Sequence, residues 1–559
     1  MNQIDPIFAA VTAPGTPFEI VERDGLRQFV NAAPDLNLMI ESARRHGDKT
    51  FVVDFSSSGT ERRLSFDQVF AWRDQLVPML HITRGERVAI CMRNRAEWMV
   101  AFLAVVKAGG VAALLNSRGS PAELVAMLDD VTPALVLADS ARAGLIRDGG
   151  YTGRMLDLTK PFDAQEIERR GHDTMIDPGV ANPEDPCTIL FTSGTTGRVK
   201  GAVLTHRSLI TGLMATQLTG VMVLHNMARA HNIPVETILA NLPQAAALLV
   251  YPLFHVSGLG SAFLSPLFAG SKVVIMRRWD ADEAIRLIEH EQITQFSAVP
   301  TMLWDMLHKA KTGGKLGTAD ISSLRNVASG GQALPVNLLD EIRAACPQAV
   351  MGTGYGMTEC SGAIAQAVGD DFIRNRASAG RVLQLADLRT VTPDGRVTAP
   401  GESGEIQVRG AMVMQGYWNR PEETAAVFTA DGWLRTGDVG YVDSEGYVFI
   451  VDRVKDMVIS GGENIYCAEV ERTLGEMPGV VECAAFGIPD ERLGELLVAV
   501  VVGTGLNAGA VQDWVGERLA RYKAPGRVVI VTEPLPRNDV GKINKVVLRA
   551  AWPKLSGDN

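Results

Sequence analysis

The sequence predicts an α/β protein of at least two domains: a large N-terminal region of strand–helix repeats, a β-rich stretch after it, and a compact α+β tail. Three observations carry this reading. At 559 residues the chain is too long for one hydrophobic core. Short apolar strands alternate with helical segments through residues 35–350, the pattern of parallel sheets covered by helices. From about Val382 to Ile450 short strands are punctuated by Asp394-Gly395, Asp431-Gly432 and Glu445-Gly446, the turn dipeptides of a mostly antiparallel region.

In chain order, residues 88–91 form a short strand, and 97–107 a helix closed by Gly109-Gly110. Residues 111–115 return as a strand, 122–128 are helical, and 135–138 form the next strand. The pattern recurs at 272–276, 281–290 and 295–299. The charged turn Asp452-Arg453-Val454-Lys455-Asp456 sets the expected boundary between residues 1–451 and 457–559. Beyond it the tail reads as a helix near 468–476, strands near 481–486 and 497–502, and a helix near 511–519.

Composition narrows the function classes. A hydrophobic share of 46% with 21% charged residues is that of an ordinary globular chain. A formal net charge of −10 leaves no basic excess for phosphates, which argues against a nucleic-acid partner. The cysteines at 91, 187, 346, 360, 467 and 483 form no C-x-x-C pair and no zinc-spaced cluster. They read as reduced thiols in a reducing compartment. The first residues lack the basic start and apolar core of a secretory signal, so a cytoplasmic location is expected. The stretch 245–268 approaches membrane-span length, but Pro252, His255, Ser257 and Pro266 interrupt it. It reads as buried core with a functional turn, with no integral membrane span expected.

The most informative segment is Thr192-Ser193-Gly194-Thr195-Thr196-Gly197-Arg198-Val199-Lys200-Gly201, between apolar runs at 188–191 and 202–204 that read as strands. Glycines admit close approach of main-chain N–H groups, hydroxyls donate to phosphate oxygens, and Lys200 supplies charge, a composition suited to a polyphosphate. A plain glycine-rich connection is the competing reading at this point. A Walker loop is disfavoured, because Lys200 precedes Gly201 and a β-rich run instead of a hydroxyl residue opening a helix.

Four further strings carry chemistry. In Tyr355-Gly356-Met357-Thr358-Glu359 the aromatic ring suits a base, the hydroxyl a phosphate and the carboxylate Mg²⁺. Arg435-Thr436-Gly437-Asp438 offers a bidentate acceptor for two ribose hydroxyls, or is simply a β-turn. The third is the charged turn at 452–456 followed by Ser460-Gly461-Gly462-Glu463-Asn464. The fourth is Pro536-Arg537-Asn538-Asp539-Val540-Gly541-Lys542, with a lysine on a glycine-flanked turn.

In this order and spacing the five motifs resemble the adenylate-forming superfamily of acyl-CoA synthetases, firefly luciferases and peptide-synthetase adenylation domains, over about residues 35–550. The resemblance implies a large N-terminal domain of two α/β subdomains plus a β-rich region, with a small mobile α+β C-terminal domain. It implies ATP, Mg²⁺ and CoA as the molecules the chain handles together with a carboxylic acid, and leaves a homodimer open. Thr192, Ser193, Gly194, Thr195, Thr196 and Gly197, with Lys200, match the phosphate loop. Gly330, Gly331 and Gln332 match the segment lining the adenine. Tyr355, with Gly356, matches the adenine-stacking position, Thr358 the α-phosphate contact and Glu359 the Mg²⁺-linked acid. Asp438 matches the ribose-binding aspartate and Arg453 a ribose or phosphate contact. Lys455 matches the hinge, and Lys542 the lysine of the adenylation step. The Ser460, Gly461 and Gly462 face is expected to meet the thiol after the C-terminal domain turns. Cys467 departs from a proline common in relatives, and Ile459 from a lysine of some aryl-CoA ligases.

The same resemblance bears on the acid. Amino-acid-activating relatives carry Phe-Asp-x-Ser, whose aspartate neutralises the substrate ammonium. Here the segment is Phe254-His255-Val256-Ser257, and burying an ammonium without that carboxylate would be costly. A hydrophobic acid is therefore expected, whether fatty, cyclic or steroid-derived, or aryl. Phe254, His255, Val256, Gly258, Gly352 and Gly354 are its expected pocket. The stretch 218–245 is longer than usual and has no assigned role. Two other readings stay open: an acyl-AMP ligase loading a carrier protein, and a catalytically silent binding module of this fold.

Overall fold

The computed structural model describes residues 6–55, 60–159, 179–192, 199–312, 320–330, 336–453, 456–460, 463–537 and 543–557. Among these residues the chain forms two large mixed sheets, a smaller antiparallel sheet, a C-terminal sheet and one short hairpin. The first large sheet runs Gly416–Tyr417, Lys200–Thr205, Pro186–Thr192, Val111–Leu114, Arg87–Cys91, Leu135–Ala138, Met155–Asp157. Its βαβ strands pair in parallel, as the alternating pattern requires, but Pro186–Thr192 and Lys200–Thr205 pair antiparallel because only a short loop joins them. The second large sheet is built on the parallel strands Ala246–Leu249, Lys272–Ile275, Gln295–Ala298, Asn326–Gly330 and Val350–Met357. Gly362–Val368 turns back against the last of these.

The helix Ala96–Lys107 sits in the main hydrophobic core. Its sequence, AEWMVAFLAVVK, is apolar on every face but for Glu97 and Lys107, and every residue except Lys107 is buried. Trp98 and Phe102 pack on Phe263. At its start Glu97 is buried and paired with Arg62 and Arg95, and Arg62 also holds buried Asp54. Local signals set other helix starts. Ser65 closes a capping box with Gln68 before Phe66–Leu80, and Ser120 one with Glu123 before Pro121–Val131.

The third sheet, Ala386–Val391, Gly404–Gly410, Leu434–Val442 and Val448–Arg453, is antiparallel throughout. Gly395, Gly432 and Gly446, the second residues of the expected turn dipeptides, all take positive φ, at 91°, 81° and 85°. The fourth sheet belongs to the small C-terminal domain. Val480–Asp490 pairs antiparallel with Gly494–Gly503, which in turn carries Arg527–Val531 in parallel. Helix Cys467–Gly475 packs beneath, with Val470 and Leu474 in a core drawn only from residues 458–528. The architecture is thus a large N-terminal α/β and β region with a small α+β C-terminal domain.

Residues 245–268 form buried core around a turn, as the sequence reading expects. They divide into the buried strand Ala246–Leu249, a turn, the π-helix Ser257–Leu264 and the short helix Ser265–Ala269. Among the described residues, the one helix long and apolar enough to cross a membrane, by length and composition, is His206–His231, and half of its most apolar window is buried within the chain. A capping box between Thr205 and Ser208 starts it. Its C-terminal half and the exposed helix Val235–Asn241 account for most of the long 218–245 stretch.

Candidate active site

A continuous cleft of about 3560 Å³ collects residues from both large sheets, the antiparallel sheet and the C-terminal domain. Strand pairing builds its first wall. Thr192 stands opposite Lys200 in the register of their two strands. Both line the cleft, and they bracket the glycine-rich loop. Ser193, Gly194, Thr195, Thr196 and Gly197 lie outside the described residues.

The next wall is the end of Val350–Met357. Gly356 is required there by close approach, because a Cβ would lie 2.1 Å from the Gly362 carbonyl oxygen. The chain then turns through a single 3-10 turn, Thr358–Cys360, into Ser361 at φ 54° and Gly362 at φ 126°. That turn leaves Glu359 buried yet on the cleft wall. Burial pushes its carboxyl above the usual range. Its Oε1 accepts a hydrogen bond of 2.9 Å from the Tyr417 hydroxyl, and its main-chain oxygen accepts one of 2.7 Å from Met414 N–H. The Lys200 ammonium sits 5.2 Å from the Tyr417 ring centroid. Glu359, Thr358 and Thr192 all line the cleft and offer oxygen atoms only, which fits Mg²⁺.

A further wall brings two sheets together. Gly437, at φ 71°, aims Asp438 into the cleft. Asp438 Oδ2 accepts a 2.7 Å hydrogen bond from the Tyr355 hydroxyl, and Oδ1 lies 3.3 Å from Arg453 Nε. Asp438 and Arg453 are direct partners in their strand register. Burial, with the Asp438 carboxylate beside it, holds the Tyr355 phenol well above its ordinary value. Gly330 lines the same wall, and the Tyr251 phenol, pushed up by burial, hydrogen-bonds its main chain. Gly331 and Gln332 lie outside the described residues.

Beyond these groups the cleft continues between helix His206–His231 and the π-helix. Gly212, Thr216 and Gly220, at helical spacing of four, face it, as do His255, Val256, Gly352 and Gly354. π-Helical geometry is rare and recurs near functional sites. Asn94 fixes the turn before it, donating to the Tyr251 carbonyl at 2.9 Å and accepting from Leu253 N–H at 3.0 Å. Two expected pocket residues do not line this cleft. Phe254 is turned into the hydrophobic core, and Gly258 is a packing position, where a Cβ would lie 2.0 Å from the Pro252 carbonyl oxygen.

The C-terminal domain reaches the cleft through Ile543, Asn544 and Lys545. Lys542 lies outside the described residues, but a bridge between Arg537 and Ile543 and a 2.7 Å bond from Asn544 N–H to the Pro536 carbonyl place both flanks of its segment. Ser460 is on the strand Val458–Ser460 of the C-terminal sheet and does not line the cleft. Gly461, Gly462 and Lys455 lie outside the described residues. Either side of Lys455, Asp452 Oδ2 accepts from Ala468 N–H at 3.1 Å, and the Asp456 carbonyl accepts from the Cys467 thiol at 3.1 Å. All six cysteines are free, with Cys483 half-buried and the others buried.

Tyr417, Tyr251, Asn94 and Asp452 are site residues that sequence reasoning misses. Of these only Asp452 lies within one of the five motifs. The others become visible once strand pairing and the turn at 251–253 are known.

The sequence matches the AMP-binding enzyme family over residues 39–418 and the AMP-binding enzyme C-terminal domain over residues 469–542. It is 36% identical over 502 residues to indoleacetate–CoA ligase of Aromatoleum aromaticum, covering 87% of this chain and 92% of that one. It is 33% identical over 538 residues to the long-chain-fatty-acid–CoA ligase FadD13 of Mycobacterium tuberculosis, covering 94% and 97%. The fold superposes on o-succinylbenzoate CoA synthetase (MenE) of Bacillus subtilis, solved with its acyl-adenylate intermediate, with a TM-score of 0.74 at 29% identity, covering 92% and 97% of the two chains. The chain belongs to the AMP-binding enzyme family and is an acyl-CoA synthetase of the adenylate-forming superfamily.

Proposed function

We propose that this protein activates a hydrophobic carboxylic acid with ATP, releasing pyrophosphate and forming acyl-AMP, and then passes the acyl group to the thiol of CoA. One observation carries the assignment of roles. Tyr355, Asp438 and Arg453 meet Lys200 and Glu359 in the same cleft, and that cleft runs on into a pocket walled by small and apolar residues.

The chemistry follows from charge. A carboxylate attacks the α-phosphorus of ATP although both are anionic, so fixed donors and cations must offset the repulsion. Asp438 accepts from the ribose hydroxyls, and Tyr355 faces the base. The hydroxyls of Thr192 and Thr358 donate to phosphate oxygens, and Lys200 faces the departing pyrophosphate. Lys542 bridges the acid carboxylate and the α-phosphate. Glu359 is the group that would hold Mg²⁺, which when bound with the triphosphate neutralises charge on the leaving group. The six free thiols fit a cytoplasmic location.

His255 in place of an aspartate favours an acid without an ammonium group. The named relatives act on indoleacetate and on long-chain fatty acids, and the side-chain-free wall at Gly220 and Gly352 suits acids of either shape. We place the domain boundary at 452–456 with the hinge at Lys455. The Asp452–Ala468 and Asp456–Cys467 contacts span it and hold the present orientation, which must be released for the Ser460, Gly461 and Gly462 face to approach the carbonyl. The test is single-turnover measurement of acyl-AMP from ATP and of acyl-CoA from purified acyl-AMP. The reading expects both with an aryl or fatty acid; formation of neither by folded, ATP-binding protein would refute it.

A further inference from the structure

Tyr417 has no role in the site as so far assigned, yet it touches two of its charged groups. Its hydroxyl donates to Glu359 Oε1 at 2.9 Å, and its ring lies under the Lys200 ammonium at 5.2 Å. Its own backbone is tightly fixed. Tyr417 pairs with Ala202, two residues past Lys200, and its N–H donates to Thr424 Oγ1 at 2.9 Å. The residue before it, Gly416, sits at φ 153°, and a Cβ there would lie 2.7 Å from Thr424 Cγ2. The rest of the segment is pinned on both sides. Gln415 N–H donates to the Val203 carbonyl, Trp418 N–H to the Gly201 carbonyl, and Met414 N–H to the Glu359 carbonyl. Residues 414–418 therefore staple the strand that closes the phosphate loop to the turn that carries Glu359. These two elements are about 160 residues apart in sequence, and nothing in either strand pattern sets their spacing.

We propose that Tyr417 is a positioning residue for the adenylation half-reaction: its hydroxyl orients the Glu359 carboxylate and its ring seats the Lys200 ammonium, fixing an acid and a cation relative to one another on the side of the cleft that takes the β- and γ-phosphates. The inference rests on the proposed function for the identity of that ligand. A charge-assisted hydrogen bond orients an acceptor strongly, and an ammonium over a tyrosine face is held by the ring quadrupole. A purely structural tyrosine would fill space and support the fold. A positioning one must affect ligands that reach Glu359 and Lys200 more than ligands that stop at the α-phosphate.

The experiment compares ATP with AMP, each titrated calorimetrically into wild type, Y417F, Y417L, E359A and the double variant E359A/Y417F in Mg²⁺ buffer, with thermal unfolding recorded for each. Phenylalanine keeps the ring and removes the hydroxyl. Y417F is expected to weaken ATP binding about tenfold, the size of one charge-assisted hydrogen bond, while AMP changes by less than about twofold. Y417L, which also removes the seat of Lys200, is expected to weaken ATP further. In the E359A background the phenylalanine change is expected to add less than about twofold, because the hydroxyl then has no carboxylate to orient. Wild-type ATP affinity in Y417F would overturn the proposal. So would parallel losses for ATP and AMP that track a lowered melting temperature, or a full additive loss in the double variant. If the ATP-against-AMP pattern appears but no acid supports pyrophosphate release, the proposed reaction fails and the positioning role stands. Acid-dependent release without that pattern would support the reaction and overturn the positioning role.

Discussion

Replacing Asp438 by alanine should lower nucleotide affinity through the ribose alone, and the structure supplies the magnitudes. The carboxylate has two protein partners. Tyr355 donates to Oδ2 at 2.7 Å, and Arg453 Nε lies 3.3 Å from Oδ1. The Arg453 side chain is 52% exposed, so that pair contributes only about 0–1 kcal/mol to stability. The Tyr355 hydroxyl is buried and keeps Thr436 as its other partner, so losing the carboxylate acceptor costs about 1 kcal/mol. The variant should therefore unfold at a measurably lower temperature. Sequence alone suggests a partly exposed acceptor whose loss leaves stability nearly unchanged; the 12% side-chain exposure of Asp438 and its Tyr355 bond correct that. For binding, losing a charged acceptor for ribose hydroxyls should cost about 1.5–3 kcal/mol, or roughly 10–100-fold in Kd. Calorimetric titration of AMP and of 2′,3′-dideoxy-AMP separates this from general damage. Wild type should prefer AMP strongly, and the alanine variant should bind both alike and weakly. A variant that keeps the wild-type preference for AMP would refute the assignment of Asp438 to the ribose.

Lys542→Ala should slow acyl-AMP formation about 100–1,000-fold, the cost of one transition-state charge contact, while sparing thioester formation from purified acyl-AMP; rapid-quench assays of each half-reaction check this. Lys455→Pro locks φ near −65° and removes an N–H, so it should impair thioester formation far more than adenylation, whereas equal losses tracking the melting temperature would remove the case for a hinge there. Asp452→Ala removes a cap from helix Cys467–Gly475, whose own N-cap residue Tyr466 supplies no side-chain bond, and should cost about 1 kcal/mol and shift the balance between the two half-reactions. Although burial pushes Glu97 up, hydrogen bonds from Arg62 and Arg95 hold it at about 2 against an ordinary 4.5. The stability this depressed carboxyl adds is full above about pH 4.5 and lost as pH falls toward 2, so the difference between wild type and Glu97→Gln in chemical denaturation should be about 3 kcal/mol at pH 7 and shrink steadily in acid.

Sequence revealed most where the signal was local. The turns at Asp394-Gly395, Asp431-Gly432 and Glu445-Gly446 need left-handed glycines, and all three have them. The largely apolar helix Ala96–Lys107 and the parallel strands around it follow from pattern and length. Tyr355, Glu359 and Asp438 could be picked out because each sits in a short string with recognisable chemistry. The contact between Tyr355 and Asp438 could not, since it joins two sheets across 83 positions. Tyr417 escaped for a similar reason: it lies in none of the five motifs, and only its pairing with Ala202 brings it to Glu359. Phe254 shows the converse error. Its motif suggested a pocket wall, but the turn fixed by Asn94 sends the ring into the core and leaves His255 and Val256 to face the cleft.

The central claim is that this cleft joins the carboxylate of a hydrophobic acid to AMP and then to CoA. The most direct measurement is pyrophosphate release with a panel of aryl, fatty, cyclic and amino acids, with and without CoA, followed by mass spectrometry of the products. The account predicts release that depends on a hydrophobic acid, acyl-AMP in the absence of CoA, and acyl-CoA with AMP in its presence. Release driven by amino acids, or acyl-AMP that CoA never converts to thioester, would contradict it.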